Sequence, residues 1–225
     1  MATRIYFPST GAATISPAYD AGWEDTSLAG SRLKAVRTKI SSAMASTLVN
    51  DTTTADQDLL CRQWVLEEAL RAQTIAAQTI KIQMLCKSGS NATLQLAWLV
   101  KVVSSDGLTS RGTLIAAAGA PKRDGTNMNT STLTNRGDSQ TCASVVVQDG
   151  DFLVFELGGG GTSIFNGHKP TIRYGDSGGS DLPEDDISTS DIDPWVEFAN
   201  DVLFGPLAAK NKYRSSQAVI RSATR

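Results

Sequence analysis

The chain has 225 residues, with 21 Lys and Arg against 23 Asp and Glu and a formal charge of -2. A balance so close to neutral excludes a global attraction to nucleic acid or to an anionic membrane, and no apolar run approaches the length of a membrane span. Cys61, Cys86 and Cys142 are odd in number and far apart, which describes buried thiols rather than a disulfide framework; His168 is the sole histidine and no CxxC occurs, so the ligand spacing of a structural zinc site is missing.

The opening MATRIYFPSTG lacks a basic region followed by an apolar one, so signal-led secretion is not expected. Thr3, Ile5 and Phe7 alternate with Arg4, Tyr6 and Pro8, which predicts a short strand, an arm or a sheet edge, stopping at Pro8-Ser9-Thr10-Gly11. From Ile15 to Gly30 runs a loop whose large aromatic, Trp23, anchors it to the body. Ser31 to Ser42 fits helix and strand equally, and Asn50 to Asp56 reads as a polar loop. Asp58 to Ala77 carries two competing signals. Glu67 to Gln73 are helix formers, whereas Leu60, Arg62, Trp64 and Leu66 form a period-two set.

Ile80, Ile82, Met84 and Cys86 alternate with Thr79, Lys81, Gln83 and Leu85, a strand predicted to turn at Lys87 to Asn91 and pair with the next. That next strand puts Leu94, Leu96, Trp98, Val100 and Val102 on one face, and Ser104-Ser105-Asp106-Gly107 reverses it into Leu108 to Ala116. Ala118 to Gln140 reads as a long polar connection of the kind that is exposed and often functional. Short strands follow at Cys142 to Val147 and around Leu153, Phe155 and Leu157, the latter ended by the glycines 158 to 161. The last two are marked by Ile172 with Tyr174 and by Trp195 to Phe198 after Pro194.

The fold class these elements define is all-β, an antiparallel β-sandwich spanning residues 21–205 with long loops, preceded by an N-terminal arm at 1–20 and followed by a basic tail at 206–225. Charge is segregated near the end: Asp176 to Asp201 holds nine acids and no Lys or Arg, and Lys210 to Arg225 holds five basic residues and no acid. Extended ends of this kind suit contacts between repeated subunits, with the acidic stretch a partner for a neighbour's basic tail.

Gly175-Asp176-Ser177-Gly178-Gly179 matches the pentapeptide around a chymotrypsin-like nucleophile, but that chemistry needs a distant histidine base, and His168 is only nine residues before Ser177. A turn of small residues explains the match. Gly158 to Gly161 lacks a following Lys-Ser or Lys-Thr and is no phosphate loop; Arg136-Gly137-Asp138 is three common loop residues. The acidic loop Asp181 to Asp186 lacks the alternate spacing of a calcium-binding EF-hand loop. The sequence therefore assigns no catalytic residue, no cofactor-binding residue and no metal ligand, and it predicts neither an enzyme nor a cofactor.

Four stretches carry a resemblance: Ala21-Gly22-Trp23-Glu24-Asp25-Thr26; Lys101 to Gly107 with Arg111-Gly112-Thr113-Leu114; Gly150 to Gly158; and Asp193-Pro194-Trp195-Val196-Glu197-Phe198. Together they resemble virion structural proteins of tailed bacteriophages built on a jelly-roll-like β-sandwich. The resemblance implies a strand at Leu60 to Leu66, a particle component of capsid, neck or tail located in the virion, and partners that are copies of itself and other virion proteins, with no direct nucleic acid and no membrane. The alternative is a carbohydrate-binding module for host-surface glycans, which requires Trp23, Tyr174 or Trp195 to be exposed in a row.

Overall fold

In the computed structural model, residues 2–48, 56–89, 93–117, 119–161, 169–176, 180–185, 187 and 193–205 are described. Among them there is no helix; the regular structure is all strand. In chain order these are β1 (Thr3–Tyr6), β2 (Leu33–Ala35), β3 (Ser42–Leu48), β4 (Gln57–Leu66), β5 (Gln73–Ile75), β6 (Thr79–Ser88) and β7 (Gln95–Val103). They continue with β8 (Ser110–Ile115), β9 (Lys122–Asn127), β10 (Thr134–Thr141), β11 (Val145–Val147), β12 (Phe152–Gly161), β13 (Pro170–Asp176) and β14 (Trp195–Phe198).

Two six-stranded sheets result, each built on long strands. In the first, β6 pairs along one edge with β10, while β14 and β13 share its other edge, each extended outward by β1 and β3 respectively. In the second, β12 lies between β4 and β7; β2 flanks β4, and β8 and β9 take successive halves of the far edge of β7. A separate pair, β5 with β11, closes one end. The second sheet is mixed, because β2 runs parallel to β4.

The inward positions are those that alternation assigns. Ile80, Ile82, Met84 and Cys86 from one sheet and Leu94, Leu96, Trp98, Val100, Val102, Leu153, Phe155 and Leu157 from the other belong to one buried cluster, so the sheets face each other across a shared core. Phe7 reaches this core beside Trp64 and Phe155, with ring centroids 5.0 and 5.6 Å apart. The segment that the sequence assigns to an arm thus pairs, through β1, with β14 of its own chain and contributes Ile5 and Phe7 to the interior. Tyr6 and Val36 also exchange backbone hydrogen bonds, which ties β1 to the residue after β2 in the opposite sheet.

Three local expectations are corrected and one open alternative is resolved. The strand at Ile80 to Cys86 does not pair with the one that follows it, since β6 and β7 lie in different sheets and the connection crosses the sandwich. The supposed polar connection from Ala118 to Gln140 contains β9 and β10; β10 matches Thr134–Thr141 to β6 over eight residues, a pairing that backbone hydrogen bonds make without apolar side chains. The glycines at 158–161 continue β12 rather than ending it, because they are where neighbours press closest: a Cβ would clash with the Leu59 carbonyl oxygen at Gly158 and with Pro170 at Gly159. The competition at 58–77 resolves as strand through Leu66. Its backbone is bonded on both sides by β2 and β12, whereas the helix-forming run Glu67 to Gln73 is too short to hold a helix alone and is bonded elsewhere, with Leu70 N donating to Asp151 O and Ala72 N to the Asp149 carboxylate.

The predicted reversal after β7 is present. Gly107 has φ of 76°, Asp106 accepts from Leu108 N, and Ser104 accepts at its carbonyl from Gly107 N and at its hydroxyl from Thr109 N.

Candidate functional site

The most unusual polar site lies on the outer face of the second sheet, beneath residues 13–32. Because β12 is central, its outward side chains are covered when that segment crosses them, and Glu156 is fully buried. Its carboxylate accepts from Lys101 Nζ at 2.8 Å, Gln63 Nε2 at 2.8 Å, Trp23 Nε1 at 2.7 Å and Asp20 N at 3.1 Å. Lys101 Nζ also donates to Ala18 O at 3.0 Å, and Arg32 donates to Pro17 O and Gln63 Oε1. The buried charge is matched by a buried cation and saturated with donors, which is what such burial requires. One carboxylate thereby clamps the crossing segment at Asp20 and Trp23, and Trp23 packs against Leu60 and Ala97 as the anchor expected from the sequence. The signal for this pair was present as single charges inside otherwise apolar strands: Lys101 among Leu99, Val100, Val102 and Val103, and Glu156 among Val154, Phe155 and Leu157.

Further polar contacts tie strands of opposite sheets. Arg136 on β10 pairs with Asp124 on β9 at 2.8 Å, with both side chains buried, and Trp98 Nε1 on β7 donates to Asp138 on β10 at 2.8 Å. The Arg136-Gly137-Asp138 tripeptide is therefore a strand whose two charged side chains are engaged, not a loop. Arg123 bridges Asp58 and Asp56 at 2.8 and 2.9 Å; burial nevertheless pushes the Asp58 carboxyl above its ordinary range, against the hydrogen bond and charge of Arg123.

On the outer face of the first sheet, Asp181 receives Arg4 at 2.5 Å and Lys39 at 2.6 Å, Glu197 receives Arg4 at 2.6 Å, Asp193 receives Lys39 at 2.6 Å, and Glu184 receives Lys81 at 2.8 Å. The Arg4 guanidinium also stacks 4.0 Å over Trp195. Four acids of the 176–201 stretch, Asp181, Glu184, Asp193 and Glu197, are thus matched by cations of the same chain.

The aromatic residues required for a glycan platform are interior. Trp23, Tyr174 and Trp195 are 5%, 3% and 1% exposed, so they form no solvent-facing row. Trp64 and Trp195 each donate an indole N–H to a backbone carbonyl, of Pro8 and Leu182. Ser177 and His168 lie outside the described residues, as do Asp186 and the tail 206–225. Cys61, Cys86 and Cys142 are buried thiols that form no disulfide, and burial pushes the Cys142 thiol up. Among the described residues no group of three His, Cys, Asp or Glu is arranged to hold a metal ion.

Two adjoining hollows of about 540 and 530 Å³ flank Phe204, sharing it and Arg37 as walls. They lie where the described chain ends, at Gly205.

No protein-family model matches the chain, and no curated protein matches it. Among solved structures, it is similar to a CocE/NonD family hydrolase from Staphylococcus aureus at 8% identity and a TM-score of 0.45, covering 88% of this chain and 36% of that one. A second crystal structure of that hydrolase gives a TM-score of 0.44 at 8% identity, covering 89% and 36%. The structure of infectious bursal disease virus Gx strain follows at 12% identity and a TM-score of 0.29, covering 73% and 38%. The chain spans about a third of the length of each, and these likenesses carry no argument about function.

Proposed function

We propose that the protein is a structural subunit of a tailed-bacteriophage particle, a jelly-roll-like β-sandwich that assembles with copies of itself and with other particle proteins. One observation carries this reading: three of the four stretches that resemble such proteins meet at a single group. Trp23 of the first stretch and Lys101 of the second both donate to Glu156 of the third. The shared residues are thus the clamp of a scaffold, and a scaffold is what a particle component supplies. The topology fits a jelly roll in kind, since strands distant in sequence lie side by side: β1 beside β14, β4 beside β12, β3 beside β13. Polar side chains inside this body hold segments together, and contacts with neighbours fall to its surface and to residues 206–225.

The test is mass spectrometry of gradient-purified phage particles from the host strain, with immunogold labelling by antibody to this chain. The expected result is co-purification at constant stoichiometry and label at a fixed position on the particle. Absence of the chain from purified particles overturns the proposal. Labelling of Ser177 by a fluorophosphonate probe, lost in Ser177→Ala, would point instead to an enzyme.

A further inference from the structure

We infer that the outer edge of β3 pairs with the same edge of a second copy of this chain, antiparallel about a two-fold axis near Ser46. β3 borders the first sheet and is bonded to β13 on one side. Among the described residues, the backbone of Met44 to Thr47 meets no strand on its other side. The opening starts after Ala43, whose carbonyl accepts from Ser9 Oγ. Both faces of the strand are nevertheless fixed. Ala45 packs against the shared core, the Thr47 hydroxyl bonds to the Tyr174 hydroxyl at 2.9 Å and accepts from Arg62 at 3.1 Å, and Met44 packs on Leu85, Leu182 and Trp195. What is left is a held, straight row of N–H and C=O groups, the template on which another strand adds.

The other outer strands are protected. On β1, Tyr6 exchanges hydrogen bonds with Val36; on β2, Lys34 N donates to Gly11 O; on β8, Leu114 O accepts from Ala143 N. On β5, the Gln73 amide takes both the N–H and the carbonyl of Leu203. β9 carries Arg123 and Asp124 and bends at Gly125, where φ is 80°, and β10 carries Arg136 and Asp138, engaged across the sandwich. Charges on an edge and kinks in it are the devices that stop strand addition. β3, reading Ser-Ala-Met-Ala-Ser-Thr-Leu, has no charge, no proline and no glycine.

The occupant follows from that sequence. An antiparallel edge is its own complement, because each residue offers one donor and one acceptor. Two-fold pairing of β3 sets small, neutral side chains opposite one another and opposes no like charges, whereas an acidic or a basic segment would find no charge on the strand to read. Such a contact uses the same patch on both copies and closes at two. It rests on the reading of a self-associating subunit and names the surface by which copies meet.

The experiment is sedimentation equilibrium of the full chain, of Ser46→Lys, of Ser46→Glu, and of the two variants mixed in equal amounts. Ser46 is exposed, so either substitution leaves the core untouched. The parent should dimerise. Each variant should dissociate at least about tenfold more readily, because its two copies bring like charges together beside the axis, and the mixture should recover most of that loss. A parent that stays monomeric at its highest soluble concentration overturns the inference. So does a dimer that neither substitution weakens, and a mixture no tighter than the single variants overturns the two-fold register. Hydrogen exchange needs no variant: amides of residues 44–47 should exchange more slowly as parent concentration rises, and exchange independent of concentration overturns the pairing. A chain that dimerises through β3 but is absent from purified particles leaves this contact standing and removes the particle reading. A chain present in particles but monomeric in solution does the reverse.

Discussion

Lys101 Nζ and Glu156 Oε1 are 2.8 Å apart on neighbouring strands of one sheet, both buried, under a segment that itself donates to the same carboxylate. Removing one partner strands the other charge. Glu156→Gln should destabilise the fold by about 3 to 5 kcal/mol, and Lys101→Met with Glu156→Leu should cost less than either single change. Urea unfolding measures both, and limited proteolysis should show residues 13–32 cut first in Glu156→Gln. A double variant whose loss equals the sum of the losses in Lys101→Met and Glu156→Leu would mean that the pair is not coupled.

Trp98→Ala should cost about 3 to 5 kcal/mol, because a fully buried indole leaves a cavity between the sheets. Trp98→Phe keeps most of the volume but removes the donor to Asp138, and should cost about 1 to 3 kcal/mol. Thermal unfolding of the two variants separates packing from the inter-sheet hydrogen bond.

Gly158→Ala should destabilise by about 1 to 3 kcal/mol, since its Cβ meets the Leu59 backbone, which cannot swing aside as a side chain would. Gly125→Ala should also destabilise, for a different reason: nothing lies near its Cβ, but φ is 80°. A Gly125→Asn variant should recover part of that loss, whereas Gly158→Asn should not fold at all.

Burial raises the Asp181 carboxyl, but hydrogen bonds from Lys39 and Arg4 outweigh it and hold the group below its ordinary value. A carboxyl lowered in the folded state stabilises fully above its unfolded pKa, near 3.9, and loses that contribution as pH falls through the lower folded value. Asp58 and Asp124, raised by burial, act with the opposite sign: their charged forms disfavour folding, and this relaxes as they protonate. Asp181→Asn should therefore lose less stability than the parent as pH falls from about 4 to 2, whereas Asp124→Asn should lose more as pH falls toward about 4, through the raised folded-state value of Asp124. Denaturant midpoints across both ranges check the two signs.

The three thiols are 0 to 2% exposed, so none should react with a thiol reagent at neutral pH in the folded chain, and all three should react in guanidinium. Fast reaction of one thiol in the native state would show that its strand opens locally.

The sequence by itself determined the strands whose apolar residues alternate and whose turns carry the required glycine: β6, β7, the inward set of β12, and the reversal at Asp106-Gly107. Side-chain direction in a strand is a local property of the backbone, so Ile80, Trp98 and Phe155 could be assigned to the core from their spacing alone. It also marked Trp23 as an anchor, because a large indole in a polar loop has few other uses. What only the tertiary structure decided is which strand lies beside which, and therefore what each charge meets. Pairing is made by backbone groups that every residue carries, so nothing local distinguishes β10, a polar strand, from a loop, or tells β6 that its partner is not the next strand but β10, β13 and β14. The same reason hid the partners of Glu156 and Asp181. Lys101 is 55 residues from Glu156 and Arg4 is 177 from Asp181, and only the folded sheets bring them within hydrogen-bond distance.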